Sequence, residues 1–155
     1  MQTNIKSTYI FIAKMSIMKR SFFIICLLFL FSFFLRAQTS DYKVVFDLTS
    51  KDTMNHKAVI RWLNEISKST PTADLEVVLY GQSLDMVVKN KSVVADEVAR
   101  LAATKNISFK LCAIAMKNNN ISPPDLLPGV KIVPDGIYEI ITKQKEGWGY
   151  IKAIR

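Results

Sequence analysis

The chain has 155 residues, half of them apolar, enough for one domain with its own core. Its formal net charge of +8 is concentrated at the N-terminus. Lys6, Lys14, Lys19, Arg20 and Arg36 precede residue 38 with no acid among them, so the remainder holds sixteen basic against thirteen acidic residues, a net charge of +3. So small a charge, on lysines scattered from 43 to 152, makes no case for nucleic acid and describes a solvated surface.

Residues 21–35 (SFFIICLLFLFSFFL) carry no charge and lie between Met18-Lys19-Arg20 and Arg36-Ala37-Gln38. A basic start, an apolar run and a small residue at a cleavage point are the layout of a secretory signal. The run is shorter than the roughly 20 residues of a permanent span. Cleavage after Ala37 is therefore expected, giving a signal peptide over 1–37 and a domain over 38–155 that is periplasmic or extracellular. Leu35, three residues before the cut, keeps an uncleaved N-terminal anchor as the alternative. Met18 is an alternative start, since Met18-Lys19-Arg20 already opens a signal. Membrane contact is expected through this segment only. Cys26 lies inside the run, without the small residues that a lipid-attachment site places before its cysteine, so Cys112 is the one thiol of the exported domain.

Residues 43–48 (KVVFDL) read as a buried strand. Val59, Trp62, Leu63 and Ile66 then recur at helical spacing; Asp52 or Thr53 caps that helix and Ser69-Thr70-Pro71 stops it. Residues 75–80 (LEVVLY) form a second strand, with Gly81 permitting a tight turn, and 82–88 fit at most one helical turn. Val94, Val98, Leu101 and Ala102 mark a helix over 92–104. Residues 108–113 (SFKLCA) form a third strand with Lys110 and Cys112 on one face, and a short helix over 114–119 follows. Pro123, Pro124, Pro128 and Gly129 break regularity. A short strand over 130–133, a helix from near Asp135 and a closing strand or ordered tail over 148–152 complete the chain. This alternation predicts an α/β domain: a three-layer flavodoxin-like or Rossmann-like fold with a mainly parallel sheet of four or five strands and helices on both faces.

In such sheets, function gathers at the loops after the carboxyl ends of the strands, here 49–55, 81–85, 112–116 and 134–136. Neither glycine-rich nucleotide fingerprint occurs, and the hydroxyl-rich loop 49–53 holds Asp52, which repels phosphate; no cofactor is expected. His56, the single histidine, has no second His or Cys at ligand spacing, so a surface or capping role is expected and no metal. Cys112 admits two readings. A cysteine ending a core strand serves as a small buried hydrophobe; alternatively, Lys110 on the same face and the following helix start support it as a thiolate.

Three segments carry a resemblance. They are Phe109-Lys110-Leu111-Cys112-Ala113-Ile114-Ala115-Met116 with Asn120-Ile121; Asp125-Leu126-Leu127-Pro128-Gly129-Val130 leading to Val133-Pro134-Asp135-Gly136; and Gln144-Lys145-Glu146-Gly147-Trp148-Gly149-Tyr150-Ile151-Lys152. With them the chain resembles the DsrE-like family of small α/β domains, in a branch with many exported members. The resemblance implies that Cys112 accepts persulfide sulfur and passes it to a partner, with Lys110 in support, and that a sulfur donor or acceptor protein exists. It also implies a homo-oligomer, a trimer or hexamer, into which Trp62, Trp148 and Tyr150 bring large side chains. The competing reading keeps the fold and oligomer as a non-catalytic exported binding or assembly module, with Cys112 as a core residue.

Overall fold

The computed structural model describes residues 42–154. The chain divides into the units Met1–Ser40 and Asp41–Arg155, and the expected signal segment lies in the first, outside the described residues. Strand β1 (Lys43–Leu48) leads into helix α1 (Thr53–Ser69), and β2 (Asp74–Leu79) into a 3-10 turn (Ser83–Val87) and helix α2 (Ala95–Ala102). Next, β3 (Ile107–Cys112) runs without a break into helix α3 (Ala113–Asn118). After a second 3-10 turn (Pro123–Asp125) come β4 (Lys131–Val133), helix α4 (Gly136–Lys145) and β5 (Gly149–Lys152). The sheet order is β4-β3-β2-β1-β5 with every pairing parallel, so the α/β fold expected from the sequence, with a mainly parallel sheet of four or five strands, is observed with five strands, all parallel.

Period-two alternation divides the strands between two faces. Val44, Phe46, Leu48, Leu75, Val77, Leu79, Ile107, Phe109 and Leu111 point one way and bury Val59 and Leu63 of α1 and Val98 and Leu101 of α2. Trp62 stacks on Phe46 with ring centroids 6.3 Å apart. The opposite face is built differently. Its apolar seat is Val45, Val78 and Ile140, with Tyr80 and Trp148 packed alongside, and the positions between them are Asp47, Glu76, Ser108 and Lys110. Helix α4 crosses this face, because its connection must carry the chain from β4 at one edge to β5 at the other.

Local chemistry fixes the element ends. The Asp52 carboxylate accepts from Met54 N at 2.9 Å and starts α1; Asp135 accepts from Ile137 N at 2.7 Å and Tyr138 N at 3.2 Å and starts α4. Helix α2 begins at Ala95, three residues after the expected start, because Ser92 is held in a turn. Its hydroxyl donates to Met86 O at 2.6 Å and accepts from Val94 N at 3.2 Å. Such side-chain bonds to the backbone compete with helix.

Candidate functional site

The carboxyl ends of β1, β2 and β3 bring three loops to one rim, and Cys112 stands there as the last residue of β3 and the residue that precedes α3. It is 5% exposed, more enclosed than the sequence suggests. The cause lies in α4. A Cβ on Gly136 would stand 3.3 Å from Cys112 Cβ, Tyr80 Cδ1 and Val78 Cγ1, so a larger residue would have to push these neighbours aside by a few tenths of an ångström. Beside it opens a cavity of about 220 Å³ lined by Tyr80, Gly81, Cys112, Ile114, Ala115 and Ile137, with Asn118, Asn119 and Asp135 at its polar edge. Asp135 already caps α4, and the lining carries no cation. The chemistry available is that of a single thiol in a mostly apolar recess: attack on a soft electrophile such as a sulfur–sulfur bond needs a thiolate and access, with no further catalytic group.

Lys110 lies two residues before Cys112 on the same face, and its ammonium sits between two carboxylates, 3.9 Å from Glu76 Oε2 and 4.0 Å from Glu139 Oε1 of α4. Its positive charge is thus balanced by acids that the sequence reading did not single out. Glu76 is 3% exposed. Its Oε2 accepts from Ser108 Oγ at 3.1 Å, whereas Oε1 is buried without a hydrogen-bond partner. Burial raises the Glu76 pKa above the usual carboxylate value; Lys110 opposes this, and the charge and hydrogen bonding of Glu139 add to it.

A second polar cluster joins β5 to β1. Asp47, 4% exposed, accepts from Tyr150 Oη at 2.6 Å and Lys152 Nζ at 3.0 Å. Burial and the Asp47 charge push the Tyr80 phenol up to about 12, and the hydrogen bond to Asp47 followed by burial takes Tyr150 to about 12. Tyr80 therefore borders the cavity as a neutral phenol. Lys152 also lies 5.7 Å from the centroid of the Tyr80 ring, linking this cluster to the rim.

His56 is buried at 1% exposure, not on the surface. Its Nε2 lies 2.9 Å from the Ser50 carbonyl oxygen, so Nε2–H donates there, and Asn55 Nδ2 donates to Ser50 Oγ at 2.9 Å. Both residues tie the loop after β1 to α1. Neither lines the Cys112 cavity, and no three His, Cys, Asp or Glu side chains converge as metal ligands among the described residues. Charged residues inside central strands were the sequence signal for the two polar clusters: parallel strands covered on both faces read as continuous apolar runs, and Asp47, Glu76 and Lys110 interrupt three of them.

An all-parallel five-stranded sheet with a thiol at its carboxyl rim defines a small α/β domain with its candidate site at the strand ends. The match of the DsrE/DsrF-like family model to residues 43–153 places it further: the chain belongs to that family. Among solved structures it is similar to the protein of unknown function MTH1491 from Methanobacterium thermoautotrophicum, with 27% identity, 72% of this chain and 99% of that chain covered, and a TM-score of 0.68. It is also similar in fold to BT1422, a conserved protein of unknown function from Bacteroides thetaiotaomicron, at 14% identity, 76% and 99% coverage and a TM-score of 0.62. The ychN protein from E. coli matches at 15% identity, 71% and 95% coverage and a TM-score of 0.56. No curated protein matches the chain.

Proposed function

We propose that this chain is an exported sulfur carrier of the DsrE-like kind, in which Cys112 takes up sulfane sulfur as a persulfide. The observation that carries the reading is the position of Cys112 at the carboxyl end of a central strand, lining a small cavity with Tyr80, Ile114 and Ile137. In the step proposed, the Cys112 thiolate attacks the outer sulfur of a donor persulfide. A new sulfur–sulfur bond forms, the donor's own breaks, and the departing thiolate takes a proton from water. A thiol on an acceptor protein then removes the sulfur by the same exchange. Lys110 shares the Cys112 face, but Glu76 and Glu139 hold its ammonium, so the support it gives a thiolate is weakened.

One observation favours the alternative of a binding or assembly module: Cys112 is only 5% exposed. Labelling of the native protein with a charged alkylating agent at neutral pH separates the two. Labelling on the timescale of a free thiol supports the carrier; labelling only after denaturation supports the module.

Two further proposals accompany this reading. The domain assembles as a homo-oligomer, a trimer or hexamer, supported by the exposed apolar side chains Ile114 and Ile137, which line the cavity, and Tyr138 and Ile141 of α4. It acts outside the cytoplasm after cleavage near Ala37, supported by the apolar run over 21–35. N-terminal sequencing of protein recovered from the periplasm or medium should begin near Gln38; an intact Met1 or Met18 in that fraction would contradict cleavage.

A further inference from the structure

We propose that the partly buried Glu76–Lys110–Glu139 cluster is a pH-sensitive clasp that holds α4 over Cys112 when it carries a proton and loosens it when that proton is lost. The argument begins with the seat of α4. On the face that α4 crosses, the apolar cluster is Val45, Val78 and Ile140 with the partly buried Tyr80 and Trp148, a small contact beside the core on the opposite face. Elements with so little apolar contact occupy the low-stability end of a fold, where polar groups decide whether they stay docked.

Glu139 is the contribution of α4 to the clasp, and the groups that meet it belong to the sheet. With both acids ionised, two carboxylates share the one ammonium of Lys110, at 3.9 and 4.0 Å. Of the remaining groups facing Glu76, Lys143 of α4 also favours its ionised form, less strongly than Lys110 does and against the larger effect of burial. Ser108 of β3 donates to Oε2, and Val45 of β1 is its strand neighbour. The charge of Lys143 is shared, because it pairs with Glu146 at 3.1 Å and lies over the Trp148 ring at 4.9 Å. Lys43 and Asp74 stand opposite each other in the strand register, two residues before Val45 and Glu76. A proton on the pair makes the cluster neutral and provides a donor between the two acids. Its loss leaves a charge on Glu76, whose buried Oε1 has no partner, a state that water relieves only if α4 moves outward.

The sign follows from linkage. Burial holds the folded-state pKa of Glu76 above its ordinary 4.5, so the docking it supports is fully present below that value and is lost as pH rises through the folded one. The consequence reaches Cys112 through Gly136, the first residue of α4, which packs directly against it. The readout is accessibility of the thiol, which stands whether or not Cys112 carries sulfur.

The test has three measurements on the purified protein. Side-chain carbon-13 NMR should show Glu76 titrating above 4.5; an ordinary midpoint overturns the proposal even if no variant folds. Glu76→Gln mimics the protonated acid, so its melting temperature should exceed that of wild type by a gap that opens from about pH 4 to about pH 8. A gap that does not change with pH overturns the proposal. The Cys112 alkylation rate of wild type divided by that of Glu76→Gln cancels the titration of the thiol itself. It should climb over the same range, by about tenfold at most for each unit separating the docked and undocked values. A flat ratio overturns the coupling to Cys112.

Discussion

Asp47 is the residue on which the β5 side of the domain depends. It is 4% exposed and binds Tyr150 and Lys152 at once, so Asp47→Asn removes a charge-assisted bond and leaves Lys152 without its carboxylate. Because Lys152 is 35% exposed, water recovers part of the loss. The expected destabilisation is about 2 kcal/mol, read from the denaturant midpoint. The same substitution should bring Tyr80 and Tyr150 back from about 12 toward 10.0 in an absorbance titration. Both phenols have folded values raised above their unfolded ones. The stability they contribute is therefore fully present below pH 10 and lost as pH climbs through about 12. In Asp47→Asn this alkaline loss should be smaller.

At the scale of elements, caps and close approaches decide where each piece starts and how it packs. Asp52→Ala removes the side-chain acceptor of Met54 N and should cost about 1 kcal/mol in chemical denaturation. Gly129 has φ +82, and a Cβ there would stand 2.8 Å from Ala102 Cβ. Gly129→Ala thus combines a left-handed backbone with overlap against α2, and a loss of about 2 kcal/mol or more is expected. These elements were largely legible beforehand. Residues 43–48 and the helix ended by Ser69 emerge as read, because apolar periodicity and polar stops agree there. Strands β2 and β3 begin one residue earlier than expected, at Asp74 and Ile107. Helix α2 starts late, because the turn built on Ser92 is a matter of hydroxyl orientation that periodicity does not encode. The candidate site was less legible. The place of Cys112 at the strand end could be read from sequence. Its enclosure by Gly136 could not, because the two residues meet only when α4 crosses the sheet, and neither could the carboxylates around Lys110, which come from β2 and α4.

At the scale of the whole molecule, the sheet order places β4 and β5 at opposite edges, and both edges are short: three and four residues, with Lys131 and Lys152 among them. Short edges bearing lysine discourage strand-to-strand association, so copies should meet through helix faces. Static light scattering at micromolar concentration should return a multiple of the monomer mass, and Tyr138→Lys, on a side chain that is 69% exposed, should lower that multiple while the circular dichroism spectrum stays unchanged. A monomer mass for wild type would contradict assembly.

The central claim is that Cys112 carries sulfur, and intact-mass analysis after exposure to a sulfane-sulfur donor addresses it most directly. One sulfur atom on one thiol should add about 32 Da to wild type. In Cys112→Ser the adduct should be absent, with fold and oligomer retained, since exchanging sulfur for oxygen changes little volume. A wild-type protein that gains this mass only after unfolding, or a Cys112→Ser variant that gains it all the same, would contradict the account.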